Sequence, residues 1–339
     1  MKVFTGVRGK NLSHVPIDVQ LAERLGFDGI FFSEMTMDPF LASTLGAEHS
    51  NHLLLGTSIA LAFPRSPMTT AYMSWNLQVL SQGRFQLGLG SQVRGHNIRR
   101  FSVNWTPPGP RMREYILSLR AIWECWQTGN PLNFKGENYS FNLMPPEFSP
   151  GPISFTEPSI AISAVNPYMC RLAGELCDGV LLHGFSTRKY TKEVILPNLE
   201  SGAAKSGRKL GDIRINGGGF IIIGQTNQEV EQGIEETRRR ISFYGSTQVY
   251  RPVLDIHGWG NVGDQLREMS LNGRWGEMPK LITDEMVEAF SIIGTYKTIG
   301  SKLTQYYGSF ANQISLPLPE SQLATQETEI TELLQELQH

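Results

Sequence analysis

Eight short apolar runs, each followed by an amphipathic stretch, set the narrowest limits on how this chain can fold. They are 2–7 (KVFTGV), 28–33 (DGIFFS), 53–60 (LLLGTSIA), 85–90 (FQLGLG), 159–164 (SIAISA), 178–183 (DGVLLH), 213–223 (IRINGGGFIII) and 290–294 (FSIIG). Between them the apolar spacing changes from strand-like to helical. Ile17, Leu21 and Leu25 recur every fourth residue, which marks one helix face. Pro67 suits the first turn of a helix running to Leu80. From Arg111 to Trp126, residues Tyr115, Leu119, Ile122, Trp123 and Trp126 share one side. Strands alternating with helices predict parallel pairing through right-handed crossovers. Eight such units predict a closed (β/α)8 TIM barrel, with an open doubly wound sheet as the alternative.

The remaining composition narrows the setting. A chain of 339 residues with 40% hydrophobic and 18% charged residues can bury one large core. A net charge of -2 gives no reason to expect nucleic acid as a partner. Cys125, Cys170 and Cys177 are odd in number and lack CxxC spacing, which favours a reducing compartment over a cysteine-rich zinc site. The start, MKVFTGVRGK, has no long apolar stretch with a cleavage site, and no run reaches ~18 apolar residues. A cytoplasmic protein that does not span a membrane is expected.

The predicted barrel domain covers 1–316, with insertions at about 91–158 and 224–289. Both insertions are candidates for lids over the mouth or for contacts between copies of the chain. In the first, "PLNFKGENYSFN" reads as a hairpin turning at Lys135-Gly136. Residues 317–339 form a polar tail. Its end, "ETEITELLQELQH", suits a short helix, and the rest of the tail is expected to be poorly ordered.

In a barrel of this kind the active site lies at the C-terminal ends of the strands. There the sequence places Ser33-Glu34, Thr57-Ser58-Ile59, Gly90-Ser91-Gln92, Ala164-Val165-Asn166-Pro167 and His183-Gly184. The set is small and polar, with Glu34 and His183 its ionisable members. It suits a flat, largely neutral ligand and not a divalent metal, which wants several carboxylates or imidazoles. Asn166 can cap a helix that opens with Pro167, and the free amides there form an anion site or an ordinary helix cap.

Nucleotide motifs fail on inspection. "GLGSQVRG" has Val93 where a dinucleotide fingerprint needs glycine, and neither GxxxxGK[ST] nor GxSxG occurs. Gly217-Gly218-Gly219, inside a strand pattern, marks a bulge or a close backbone approach. His183 has a functional and a structural reading. His257 in "DIHGWG" reads as part of a packed turn, and His96 with Arg99 and Arg100 reads as a solvated basic loop. His49 and His52 fall at the far end of the barrel. Arg238-Arg239-Arg240, following Glu235-Glu236, reads as a solvated helix face with i,i+4 pairs.

The order "LGFDGIFFSE", "LLLGTSIALAFPRSPM", "LSQGRFQLGLGSQ", "RMREYILSLRAIW", "FKGENYSFN", "ISAVNPYMCRLAGELCDGVLLHGF" and "IGTYKTIGSKL" resembles the luciferase-like monooxygenase family. Within it the chain is most similar to the branch of F420-dependent oxidoreductases. The resemblance implies a TIM barrel, usually homodimeric, binding coenzyme F420 or FMN at its C-terminal face. It implies a non-prolyl cis peptide at Ser58-Ile59 that forms a backbone wall behind the ring, with phosphate contacts at Val165 and Asn166. Ser33, Thr57, Gly90, Ser91, Gln92 and Ala164 complete the implied cofactor site.

The sequence also departs from that branch. Ser33-Glu34-Met35 stand where its sugar-phosphate and alcohol dehydrogenases carry Ser-Asp-His, and Gln92 or Val93 stands at their glutamate. Glu34 and His183 remain as candidate proton handlers. The implied activity is hydride transfer between F420 and a small organic substrate. The alternatives are an FMN-dependent monooxygenase and a non-catalytic flavin-binding barrel.

Overall fold

Runs of Val, Ile, Leu and Phe that are buried on both faces can only pair with one another, and here they close a ring. The computed structural model describes residues 1–316 and 323–339. Its strands are β1 (Lys2–Gly6), β2 (Gly29–Phe32), β3 (Leu54–Thr57), β4 (Ala60–Leu61), β5 (Phe85–Gly90), β6 (Phe134–Lys135), β7 (Ser140–Phe141), β8 (Ser159–Ala164), β9 (Gly179–Leu182), β10 (Arg214–Asn216), β11 (Phe220–Gly224), β12 (Ser291–Thr295) and β13 (Gln313–Ser315). β1, β2, β3, β5, β8, β9, β10 and β13 pair in that order, all in parallel, and β13 returns to β1. This is the expected (β/α)8 barrel.

Three strand boundaries differ from the sequence pattern. The run 290–294 is not the eighth barrel strand. It forms β12, which pairs with β11 as a separate parallel ribbon. The eighth strand is β13, whose three residues are too few to show periodicity against the polar stretch around them. The run 213–223 breaks at Gly217–Gly219 into β10 and β11. A Cβ at Gly218 would come within 2.6 Å of the His183 carbonyl, and Gly219 has φ +96°. Glycine there lets the chain leave the barrel and carry β11 away from it. The run 53–60 breaks between β3 and β4 at a cis Ser58–Ile59 peptide.

The core has two parts. Between strands and helices, Trp75, Tyr115, Trp123 and Trp126 are all fully buried, and the indoles of Trp75 and Trp123 stack at 6.5 Å. Burying one such side chain contributes roughly 2–3 kcal/mol. Inside the barrel a smaller cluster of Phe4, Phe31, Ala161 and Leu181 packs with Leu54 and Ile59. The Phe4 and Phe31 rings stack at 4.6 Å. Residues two further along the strands, such as Ser33, Ser163 and His183, share the inward parity and rise above this plug.

The first insertion holds a long helix and a hairpin. The Pro108–Thr128 helix lies in the helix layer against the Pro67–Leu80 and Pro167–Leu176 helices, burying Tyr115, Leu119, Ile122, Trp123 and Trp126. The hairpin is present, with β6 and β7 antiparallel. Its turn is pinned by the Glu114 carboxylate, which accepts from the Glu137, Asn138 and Tyr139 amides. Burial opposes the charge on Glu114, but these amides outweigh it and hold the carboxyl below its ordinary range. The second insertion is helical, from Asn227–Gly245 to Asp284–Phe290, and rides on the β11–β12 ribbon.

The end of the chain is a longer helix than expected, Leu323–Gln338, and it is bound to the barrel. Ile330, Leu333, Leu334 and Leu337 are buried. The Met1 ammonium donates to the Leu337 carbonyl, and Gln338 Nε2 donates to Gly26 and Asp28. The tail residues 317–322 lie outside the described residues. Among the described residues no helix is long and apolar enough to cross a membrane.

Candidate active site at the barrel mouth

β2 fastens the segment that links β3 to β4. Ser33 Oγ donates to the Ser58 carbonyl at 2.7 Å, and the Glu34 amide donates to the Ile59 carbonyl at 3.2 Å. The Glu34 carboxylate is not free in the mouth. Its Oε2 accepts from the Leu61 amide and from Arg65 Nη1, both at 2.7 Å. Arg65 Nη2 reaches Asp38 at 2.6 Å. Burial works against the Arg65 charge, but Glu34 and Asp38 outweigh it and raise its pKa. Glu34 therefore acts as a brace that ties β2 to the start of β4.

The two hydroxyls in "LLLGTSIA" do different things. Thr57 is fully buried, and its hydroxyl donates to the Gly88 carbonyl and accepts from the Gly88 amide. Its side chain joins β3 to β5. Ser58 and Ile59 are partly exposed. Ile59 leans over β5, where a Cβ at Gly90 would fall 1.9 Å from Ile59 Cδ1, so that a larger residue there would displace the Ile59 side chain.

Beyond Gly90 the Ser91 carbonyl accepts from the buried Asn97 amide, and Gln92 turns with φ 55°. Gln92 Oε1 accepts from the Val93 amide, so its carbonyl end is already engaged. At the top of β8 the Ala164 side chain is buried, whereas Val165 and Asn166 are partly exposed. Asn166 Oδ1 caps the Pro167–Leu176 helix by accepting from Met169 N at 3.0 Å. The Tyr190 hydroxyl donates to the Val165 carbonyl at 3.1 Å. Pro167 has no N–H, so the first-turn amide at Tyr168 is the donor that helix geometry leaves over.

His183 stands at the end of β9 under the second insertion. Its Nδ1 accepts from the Phe185 amide at 2.9 Å, which places the proton of the neutral ring on Nε2. The ring stacks on Tyr250 at 4.8 Å and meets Tyr244 edge-on at 4.7 Å. Burial first, and then the Arg240 charge, push its pKa down to about 4. At neutral pH it is an uncharged hydrogen-bond donor and not an acid.

Arg65, Tyr244, Tyr250 and Arg240 were not legible as site residues. The two tyrosines lie in a segment without strand or motif signals. Arg240 belongs to the arginine run read as a solvated face. Arg238 does pair with Glu235 and Asp284, but Arg240 lies over the Phe220 ring at 4.5 Å, beside His183. His257 sits in a packed turn, stacked on Trp259 at 4.3 Å and bonded to Thr187. His96, Arg99 and Arg100 are exposed, although residues 94–99 form a short helix where a loop was expected.

A sequence profile of the luciferase-like monooxygenase family matches residues 5–313. The chain belongs to that family. An uncharacterized protein of Mycobacterium tuberculosis is 43% identical over 281 residues, 83% of each chain. A 5,10-methylenetetrahydromethanopterin reductase of Archaeoglobus fulgidus is 28% identical over 309 residues, covering 87% of this chain and 86% of its own. Among solved structures, the coenzyme F420-dependent tetrahydromethanopterin reductase of Methanopyrus kandleri superposes with a TM-score of 0.77 at 20% identity, over 99% of this chain and 97% of that one. That structural likeness shows the luciferase-like barrel fold.

Proposed function

We propose that this luciferase-like protein is an oxidoreductase that transfers hydride between coenzyme F420 and a small organic substrate. The observation that carries the reading is the neutrality of the mouth. Glu34 is consumed by Arg65 and Leu61, and His183 is uncharged. A flat, neutral ring wants such a surface. A charged rim would lose hydration on contact with it.

The residues present fit a flavin or deazaflavin. Ser33 and Ser58 are accessible, and His183 offers one donor. Ser33, Ser58, Ile59, Gly90, Ser91 and Gln92 would hold the ring, and Val165 with Asn166 the phosphate end. A bound F420 supplies hydride chemistry at carbon. The chain's own contribution is to orient both reactants, exclude water and donate a hydrogen bond from His183 Nε2. Glu34 serves this site as a positioning residue. The kinship with methylenetetrahydromethanopterin reductases, together with the likeness to the coenzyme F420-dependent reductase of Methanopyrus kandleri, favours F420 over FMN.

The second reading is an FMN-dependent monooxygenase, which the family's own description favours. Titration of the purified protein with F420 and with FMN, followed by absorbance and fluorescence, separates the two. Tight binding of F420 with anaerobic turnover supports hydride transfer. Binding of FMN alone with oxygen consumption coupled to product overturns it. Failure to bind either cofactor ends both readings.

A further inference from the structure

At the opposite end of the barrel, a cavity of about 610 Å³ opens beneath the apolar plug. It is lined by the first residues of the strands, among them Lys2, Gln86, Ser159, Arg214 and Gln313. Phe4, Phe31, Ala161 and Leu181 separate it from the mouth, so it is not part of the site described above.

Its charges are unevenly satisfied. Asp178 accepts from the Ile160 amide and from Arg120, each at 2.7 Å. Glu157 is paired with the same Arg120, and Asp212 accepts from the Lys209 amide. The lining carboxylates are thus supplied with donors. Arg84 is likewise spent, on the Ser50, Leu53 and Ser81 carbonyls and the Ser50 hydroxyl.

Arg214 is different. Among the described residues its guanidinium has one partner, Ser159 Oγ at 3.0 Å, and no carboxylate within ion-pair distance. Burial depresses its pKa, and Asp178 only partly offsets this. Beside it Gln313 is 1% exposed, and its Nε2 has no partner among the described residues. Lys2 stands next to Gln313 in the strand register and is exposed. A half-buried guanidinium with one neutral partner gains most from an anion that can accept from several of its N–H groups.

We infer that the floor of the barrel is a binding site for a small organic acid, whose carboxylates meet Arg214 and Lys2. The volume is too large for a lone ion, and the two cations stand on different strands. The site is independent of the redox chemistry proposed for the mouth.

The test is thermal unfolding of the full-length protein in millimolar succinate, inorganic phosphate or sodium chloride at matched ionic strength. A ligand that binds only the folded state raises Tm with concentration. Succinate is expected to raise Tm beyond chloride. Arg214→Gln should abolish that difference, and Lys2→Gln, at an exposed position, should weaken it several-fold in apparent affinity. Equal shifts from succinate and chloride overturn the site. A larger shift from phosphate overturns the carboxylate assignment. If Arg214→Gln does not fold, Lys2→Gln and Gln313→Leu carry the comparison, and an undiminished succinate shift in both overturns the proposal.

Discussion

His183 illustrates how a residue's chemistry is set by its neighbours. Its folded pKa of about 4 lies below the ordinary value of 6.5. Between those values the unfolded chain binds the proton and the folded chain does not. Stability therefore rises with pH across this window, is full above it, and is lost as pH falls towards 4. The contribution is at most roughly 3 kcal/mol. In His183→Gln, denaturant unfolding between pH 4 and 6.5 should show most of that slope removed, and a slope equal to wild type would refute the assignment. Arg65 sets a second test. Arg65→Met leaves Glu34 without its cation and is expected to cost on the order of 2–4 kcal/mol. Cofactor affinity should fall with it, and Arg65→Lys should restore only part, since lysine cannot fork to Glu34 and Asp38 together. Cofactor affinity unchanged in Arg65→Met would remove Glu34 and Arg65 from the site.

At the scale of elements, short strands are positioned by what covers them. The Leu323–Gln338 helix lies against β1 and the Val15–Leu25 helix, and its C-terminal end is fixed by the Met1 ammonium and Gln338. Leu334 is 1% exposed. Leu334→Ala is expected to destabilise the fold by about 2–4 kcal/mol in chemical denaturation while leaving cofactor affinity intact, since the helix lies far from the mouth. A change in cofactor affinity without loss of stability would contradict that separation. The Asn227–Gly245 helix acts in the other direction. It brings Tyr244 and Arg240 down onto His183 and Phe220, and so makes the second insertion part of the mouth.

For the whole molecule, one plug divides two openings of different character. The mouth is lined by small, mostly uncharged residues with Tyr244 and Tyr250 against His183 on one side, while the floor carries charges that the fold leaves partly unmatched. Cofactor binding at the mouth should stabilise the entire barrel, because the contacts proposed for it come from β2, β3, β5, β8 and β9 together. At about 100 times Kd the gain is roughly 2.7 kcal/mol, read as a single upward shift of the thermal transition. Unfolding in two transitions, with one insensitive to cofactor, would show that the barrel is not one cooperative unit.

The alternation of apolar runs with amphipathic stretches determined the barrel by itself, because strands buried on both faces and helices with one apolar stripe have few ways to bury each other. β5 and β8 were legible to the residue for that reason. The strand-end residues Ser33, Ser58, Gly90, Asn166 and His183 followed from the same logic, since chain order fixes which residues top the strands. Tertiary structure decided the rest. Only the fold joins Thr57 to Gly88, ties Glu34 to Arg65 and turns the triple glycine out of the barrel to form β11. It also closes the ring with the three residues of β13 in place of the longer apolar run of β12. Those outcomes depend on contacts between segments far apart in the chain, and local spacing carries no record of them.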